Sequence, residues 1–457
     1  MNRVAARATI LLVLVIVLAA GSVFFVLEYA ANSGDWVMFS GSPHLYTNGK
    51  ITTGTVTDST GLLLKDLSGE RIYATDAAVR RATLHWVGDR LGNISTPFIS
   101  RYAKEMLGFD PASGIYTYGE AAGKMQLTIS AKVQQIALEA MGDRAGTVAV
   151  YNYKTGQLLC AVTTPTFDPD NVPDIGGDTS GLYSGVYVNR FTQSKYIPGS
   201  IFKIVTLAAA LETVPGIQDV EFHCSGVYSL AGGDVTCESV HGTQTLKEAF
   251  CNSCNCAFAQ VTEQVGAENL QRYVELLGVT APVEFDGITT AAGNFDIAGA
   301  AAQQVAWSGI GQHKDQVNPC AFLTFVGAIA GDGIGAEPHV VEKITVGSKT
   351  TYQASTKTTD RVISTTTAQT IREFMQNNVR TKYGVENFPD VTVCAKSGTG
   401  EVGGDKKPNA MFAGFIDDER YPLAFFAAVE NGGYGASTTM PILSKVLQAC
   451  MDHMDTH

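Results

Sequence analysis

The stretch Tyr196-Ile197-Pro198-Gly199-Ser200-Ile201-Phe202-Lys203 runs straight into Ile204-Val205-Thr206-Leu207-Ala208-Ala209-Ala210-Leu211. Pro198-Gly199 punctuates its start, and the apolar run that follows predicts a helix. Residues three apart share a helix face, so the Lys203 amine can reach the Ser200 hydroxyl. A serine beside a lysine, with no histidine required, is one recipe for an activated nucleophile. Taken alone, the pair fits several amidases and many accidental occurrences.

Working outward, the chain has 457 residues and 45% hydrophobic content, enough for two or three domains with their own cores. A net charge of -12 argues against general nucleic-acid binding, which needs a basic surface. Thr9 to Leu27 carries no charged residue. About 20 helical residues cross the ~30 Å hydrocarbon core of a bilayer. Arg3 and Arg7 precede this run and Glu28 and Asp35 follow it, so the positive-inside rule places the N-terminus in the cytoplasm and the remainder outside. A cleaved signal peptide is the rival reading, but Tyr29-Ala30-Ala31 is a poor cleavage site and Ala19-Ala20-Gly21 lies inside the apolar run.

Nine cysteines are present, an odd number. Cys224 and Cys237 flank a glycine-containing, hairpin-like stretch and form the best candidate pair. Cys251, Cys254 and Cys256 lie near His241 in sequence, which invites a zinc reading. Small apolar fillers on a helix explain them more simply, and no metal or cofactor is expected.

Residues 29 to 120 read as a small mixed region. Within it, Gly54 to Leu64 gives strand, turn and strand, and Val79 to His85 has short helical or strand-like character. From Gly123 the pattern firms. Met125 to Ile129 alternates as a strand, and Ser130 caps a helix from Ala131 to Met141. Gly146 to Tyr151 and Leu158 to Thr163 form a hairpin around Lys154-Thr155-Gly156-Gln157. The middle of the chain is expected to be largely helical. Val391 to Ala395, Ala410 to Phe415 and Leu423 to Val429 read as three successive strands before a helix from Met440 to Met451. The expectation is an α+β fold, one antiparallel sheet with helices on both faces plus a helical subdomain. The expected partition is a tail at 1–8, an anchor at 9–28, an N-terminal non-catalytic domain at 29–120 and a catalytic domain at 121–457.

Two further motifs complete the opening pair: Ser253-Cys254-Asn255, and Lys396-Ser397-Gly398-Thr399 after the strand ending at Ala395. Each is weak alone. The order Ser-x-x-Lys, Ser-x-Asn, Lys-Ser/Thr-Gly resembles the signature of penicillin-binding proteins and serine β-lactamases. The resemblance covers nearly the whole chain. Thr155-Gly156-Gln157-Leu158-Leu159, Thr164 to Asp170, His241-Gly242, Gly309-Ile310-Gly311-Gln312, Val317-Asn318-Pro319 and Ala413-Gly414-Phe415 are similar to segments of class B penicillin-binding proteins. Gly54 to Leu64 resembles the start of that family's pedestal, or dimerisation-like, domain, with Thr53 and Ser59 standing where arginines are common.

The resemblance implies the penicillin-binding transpeptidase fold, preceded by a small α+β domain and one transmembrane helix, and a peptidoglycan D,D-transpeptidase in the cell membrane. Ser200 would attack the penultimate D-Ala carbonyl of a D-Ala-D-Ala stem peptide, and an amine from a neighbouring stem peptide would take the acyl group. β-Lactams would trap the same serine. Lys203 would be the base, which requires its pKa to fall from about 10.4 toward 7 at a cost of roughly 4 kcal/mol. Burial and the charge of Lys396 would both push it down. Ser253 would relay a proton, and Asn255 would hold Lys203 and the substrate amide. The backbone N–H groups of Ser200 and Thr399 would form the oxyanion hole. Ser397, Thr399 and Lys396 would bind the terminal carboxylate, and Gly398 would leave the strand edge open to an added peptide strand. A membrane glycosyltransferase and other wall-assembly proteins are the partners implied. A D,D-carboxypeptidase differs only in using water. A β-lactamase would need a deacylating carboxylate that the sequence does not reveal, and a non-catalytic sensor or scaffold is the remaining alternative. Gly-x-Ser-x-Gly, His-Glu-x-x-His and Walker A patterns are absent.

Overall fold

The computed structural model describes residues 2–36, 46–47, 50–51, 54–67, 72–110, 114–116 and 123–456. Its central feature is a five-stranded antiparallel sheet in the order Val393–Gly400, Asn409–Ile416, Leu423–Val429, Gly146–Asn152, Leu158–Thr164. The last three strands of the chain meander, and the final one pairs with the early hairpin, Leu423 opposite Asn152 and Val429 opposite Gly146. That closure is the expected joining of hairpin and C-terminal strands into one sheet.

Both faces of this sheet are covered, so its inner strands are buried at every position. Side chains alternate between two cores with period two. Val148 and Val150 join Val133, Ala137, Leu443, Val446 and Leu447 under the helices Ala131–Met141 and Gly435–Thr456. Ala149 and Tyr151 point the other way, with Phe322, Phe426 and Ile204, under helices Pro319–Ala330 and Lys203–Thr213. Burying one such aliphatic side chain is worth about 2 kcal/mol. Gly327 lets its helix sit this close, because a Cβ there would meet the Tyr151 hydroxyl at 1.7 Å.

Ser130 caps Ala131–Met141 with its side chain, as the sequence predicts. Asn318 caps Pro319–Ala330 by accepting from the N–H groups of Cys320 and Ala321, while its amide donates to the carbonyls of Thr192 and Ser194. The cap thereby fixes the chain a few residues before Ser200.

A second five-stranded sheet runs Lys349–Gln353, Val341–Val346, Gly123–Leu127, Thr55–Thr57, Leu63–Asp66, with Thr55–Thr57 parallel to Gly123–Leu127. It mixes strands from both sides of residue 120. The expected boundary itself lies at 117–122, outside the described residues, as does Thr53. Asp58 ties this sheet to the larger body: its carboxylate accepts from Thr60, Leu62 and Ala131 N–H. Ser59 reaches His453 of the closing helix at 3.2 Å. Val79 to His85 lies in a helix, Ala77–Val87, whose Arg80 forks onto Asp168 at 2.7 and 2.6 Å.

The middle of the chain is less helical than expected. It contains two antiparallel pairs, Glu221–Cys224 with Gly242–Thr245 and Val227–Leu230 with Gly233–Thr236. The closing helix starts earlier than predicted, at Gly435, and the strand at Val393 runs on through the Lys-Ser-Gly-Thr motif to Gly400. At the N-terminus, Asn2–Trp36 is one 35-residue helix. Its apolar window has a mean hydropathy of 3.2 and no burial against the rest of the protein.

Candidate active site

The three motifs, separated by up to 196 positions, converge at one end of the outermost strand of the large sheet. Ser200 lies in a single 3-10 turn, Gly199–Phe202, and Lys203 opens the α-helix behind it. With 3.0 residues per turn, positions i and i+3 eclipse, and Lys203 Nζ lies 2.9 Å from Ser200 Oγ. Gly199 is needed to make this turn. Its φ of +54° is left-handed, and a Cβ would stand 2.2 Å from the Thr399 carbonyl oxygen.

Ser253 follows the short helix Leu246–Cys251 and adopts φ of +55°, uncommon for a side chain with a Cβ. Cys254 caps the next helix, and Asn255 is its first residue. This turn presents three groups to Lys203: the Ser253 carbonyl at 2.7 Å, Asn255 Oδ1 at 2.7 Å and Ser253 Oγ at 3.3 Å. Asn255 is oriented by donating its amide to the Thr236 carbonyl at 3.0 Å. From the opposite side Lys396 Nζ approaches Ser253 Oγ at 3.0 Å. Both lysines are fully buried, whereas Ser200, Ser253, Asn255, Ser397 and Thr399 are partly exposed.

Burial pulls the Lys203 ammonium down to about 8. The nearby groups at Cys237, Cys254 and Glu238 oppose that shift, and burial outweighs them. Lys396 is held well below the usual lysine range, first by burial and second by the charge of Lys203. The repulsion between the two ammonium groups is mutual, so both lysines cannot hold a proton without cost. A neutral lysine has two N–H donors and one lone pair. The Ser253 carbonyl and Asn255 Oδ1 accept only. In that form they would take both donors and leave the lone pair for the Ser200 hydroxyl, whereas the charged ammonium donates to all three oxygens.

The strand Val393–Gly400 is the outermost of its sheet among the described residues. Gly398 has a role beyond an open edge: a Cβ there would meet the Pro198 carbonyl at 2.7 Å and Ile201 at 3.0 Å. Its bareness lets the nucleophile turn pack on the strand. Ser397 and Thr399 face the other way. Ser397 Oγ is 3.0 Å from the Tyr383 hydroxyl, which also accepts the Ser397 N–H at 2.9 Å. Thr399 Oγ1 accepts from Gly435 N–H at 3.3 Å, and the Thr399 carbonyl accepts from Gln312.

Four supports escaped the sequence reading. Tyr383 ends a π-turn, Val379–Tyr383, and burial pushes its hydroxyl up to about 12. Arg190 and Glu430 pair at 2.7 Å, and Tyr196 donates to the same carboxylate at 3.1 Å, anchoring the segment that leads to Ser200. Thr236 holds Asn255. Nothing local marks these residues, because each acts on a partner more than ten positions away.

Cys224 and Cys237, expected as a disulfide, are both free thiols. Of the three cysteines near Ser253, Cys251 contacts Thr381 and Cys256 points to the Val235 carbonyl, while Cys254 faces Cys237 and His241.

Comparison with known proteins identifies the family. The model of the penicillin binding protein transpeptidase domain matches residues 146–448. The chain is 28% identical over 342 residues to the peptidoglycan D,D-transpeptidase PbpA of Mycolicibacterium smegmatis, covering 69% of each protein. It is 25% identical over 448 residues to PbpA of Mycobacterium tuberculosis, covering 88% of this chain and 89% of the relative. The solved structure of penicillin-binding protein A from M. tuberculosis as a ceftriaxone acyl-enzyme shares the fold, with a TM-score of 0.73 at 24% identity over 87% of this chain and 98% of that one. The matched residues include all five strands of the sheet and all three motifs, and the chain belongs to the penicillin-binding protein transpeptidase family, as a class B member.

Proposed function

We propose that this chain is a membrane-anchored peptidoglycan D,D-transpeptidase that works through a Ser200 acyl-enzyme. The observation that carries this is the hydrogen-bond set of the buried Lys203 amine. In the neutral form its two donors are taken by acceptor-only oxygens, and the Ser200 hydroxyl lies 2.9 Å away.

Lys203 takes the Ser200 proton as Oγ bonds to the penultimate D-Ala carbonyl carbon. The oxyanion sits against the backbone N–H groups of Ser200 and Thr399. The peptide C–N bond then breaks, and the departing D-Ala amine gains a proton through Ser253 Oγ, which lies between Lys203 and Lys396. In the second half an acceptor amine bonds to the acyl carbon and passes a proton to Lys203 by the same relay; the acyl C–Oγ bond then breaks and Lys203 returns that proton to Ser200 Oγ. Lys396, with the hydroxyls of Ser397 and Thr399, would hold the donor's terminal carboxylate, and the exposed strand edge would accept the peptide. A β-lactam acylates Ser200 by the same first step, its ring C–N bond taking the place of the peptide bond.

The Asn2–Trp36 helix would anchor the chain with Arg3 and Arg7 in the cytoplasm and the site outside. The body before the catalytic domain, together with this helix, would contact a membrane glycosyltransferase that supplies the glycan strands.

Labelling of the full-length protein in detergent with a fluorescent penicillin tests the acyl-enzyme. Stoichiometric labelling that Ser200→Ala abolishes is the expected result, and an unlabelled, folded wild type would overturn it. A stem-peptide donor with an added amine then separates cross-linking from hydrolysis. Free tetrapeptide as sole product would identify a carboxypeptidase.

A further inference from the structure

We propose a closed Cys3His zinc site, formed by Cys224, Cys237, His241 and Cys254, that holds the Ser253-Asn255 turn in its working shape. One ligand atom from each residue lies within 4.8 Å of all the others. The individual separations are informative. Cys237 Sγ to Cys254 Sγ is 3.9 Å, Cys237 Sγ to His241 Nδ1 is 3.5 Å, and Cys224 Sγ to His241 Nδ1 is 3.6 Å. A tetrahedral zinc ion with Zn–S of about 2.3 Å and Zn–N of about 2.05 Å has S···S edges of about 3.8 Å and S···N edges of about 3.6 Å. Hydrogen bonding among thiols does not require a histidine nitrogen equally close to two sulfurs, and a Cys237–Cys254 disulfide would leave Cys224 and His241 without a role in the cluster.

The backbone brings these groups together from four places. Cys224 ends the strand Glu221–Cys224, and its register partner is Gly242, next to His241. Cys237 follows the hairpin Val227–Leu230 and Gly233–Thr236, its N–H bonded to the Gly226 carbonyl at 2.9 Å. Cys254 caps the helix Asn255–Val265. Four protein ligands and no open position make a structural site. Three thiolates and an imidazole in tetrahedral array select zinc over the hard cations.

The ion would sit directly behind the catalytic turn, because Cys254 is the residue between Ser253 and Asn255. Thr236, which orients Asn255, is the neighbour of Cys237. A metal joining Cys237 to Cys254 clamps the hairpin to the turn and maintains the left-handed Ser253 backbone. The four ligands are positioning residues, acting on Lys203 through Ser253 and Asn255.

The test is metal analysis of the full-length protein purified in detergent without added chelator. About one zinc per chain is expected. Cys224→Ser and His241→Ala should each lower zinc occupancy at least about tenfold, whereas Cys256→Ser should retain it. Replacement by Co²⁺ should give the intense visible bands of a tetrahedral thiolate site, a readout on the unsubstituted protein that survives if a variant fails to fold. Penicillin acylation should slow by about 10-fold or more on zinc removal and recover on adding Zn²⁺, the size of effect that loss of a supporting metal contact produces. A metal-free purified protein, copper or iron in place of zinc, or a peptide map linking Cys237 to Cys254 through a disulfide would overturn the proposal. Zinc content does not depend on the transpeptidase reading: a zinc-loaded chain that penicillin fails to label would sink that reading and leave this one standing.

Discussion

Lys396 Nζ lies 3.0 Å from Ser253 Oγ although 143 positions separate the two residues. The contact joins the strand half of the site to the helical half. Ser253 Oγ is also within 3.3 Å of Lys203, so one hydroxyl bridges two buried lysines. Two adjacent buried ammonium groups repel, which favours a state in which one of them is neutral.

Acylation should therefore depend on pH through Lys203. The reactive form is the neutral amine, and burial sets its pKa at about 8. The rate constant for penicillin acylation should fall about tenfold per unit below that value and level off above it. Lys203→Arg, which stays charged, should acylate at least about 100-fold more slowly and lose the inflection. An unchanged pH profile in that variant would exclude Lys203 as the base. Stability gives an independent check. The folded pKa lies below the ordinary 10.5, so between about 8 and 10.5 the unfolded chain binds more protons and stability rises with pH. Denaturant titrations should show a steeper rise in the wild type than in Lys203→Met, where Lys396, also depressed by burial, still contributes.

Tyr383→Phe removes a hydroxyl that serves both the side chain and the N–H of Ser397. The partly buried N–H loses its acceptor, at a cost of about 1 kcal/mol. Thermal unfolding should shift down accordingly, and acylation should slow several-fold while Ser200 stays labelled. A variant with wild-type melting would show that water replaces the hydroxyl at no cost.

Gly199→Ala tests the close approach of the nucleophile turn to the strand. Left-handed backbone costs an alanine roughly 1–2 kcal/mol, and the Cβ would in addition meet the Thr399 carbonyl at 2.2 Å. Gly181→Ala shares the backbone strain, with φ of +79° and open space around the added Cβ. Circular-dichroism melts should show Gly199→Ala to be the more damaging, and only that variant should lose acylation.

Arg190→Ala leaves Glu430 facing Tyr196 without its cation. Arg190 is almost fully buried, and breaking such a pair from one side costs about 3 kcal/mol. Urea unfolding should report that loss. Glu430→Gln, which keeps a hydrogen-bond acceptor for Tyr196, should be milder.

Much of this was legible from local pattern. The cap at Ser130 and the short apolar runs at Gly146 to Tyr151 and Leu423 to Val429 place helix and strands nearly where they stand, because those signals are carried by neighbouring residues. The ends were harder. The strand at Val393 continues through Lys396 to Gly400 because pairing with Asn409–Ile416 holds it, and no local signal reports a partner strand. The hairpins at residues 221–245 were undervalued for the same reason. The cysteines show the limit most clearly: spacing in sequence grouped Cys251, Cys254 and Cys256, whereas strand register groups Cys224, Cys237 and Cys254 around His241.

By itself the sequence determined the identities and order of the candidate reacting groups, Ser200 with Lys203, Ser253 with Asn255, and Lys396 in its strand motif, together with the apolar helix ahead of them. Only the tertiary structure decided that Lys203 is desolvated and that its amine, like that of Lys396, is hydrogen-bonded to the Ser253-Asn255 turn. These hydrogen-bond partners come from segments 50 to 143 positions distant, and those distances close only when the sheet forms.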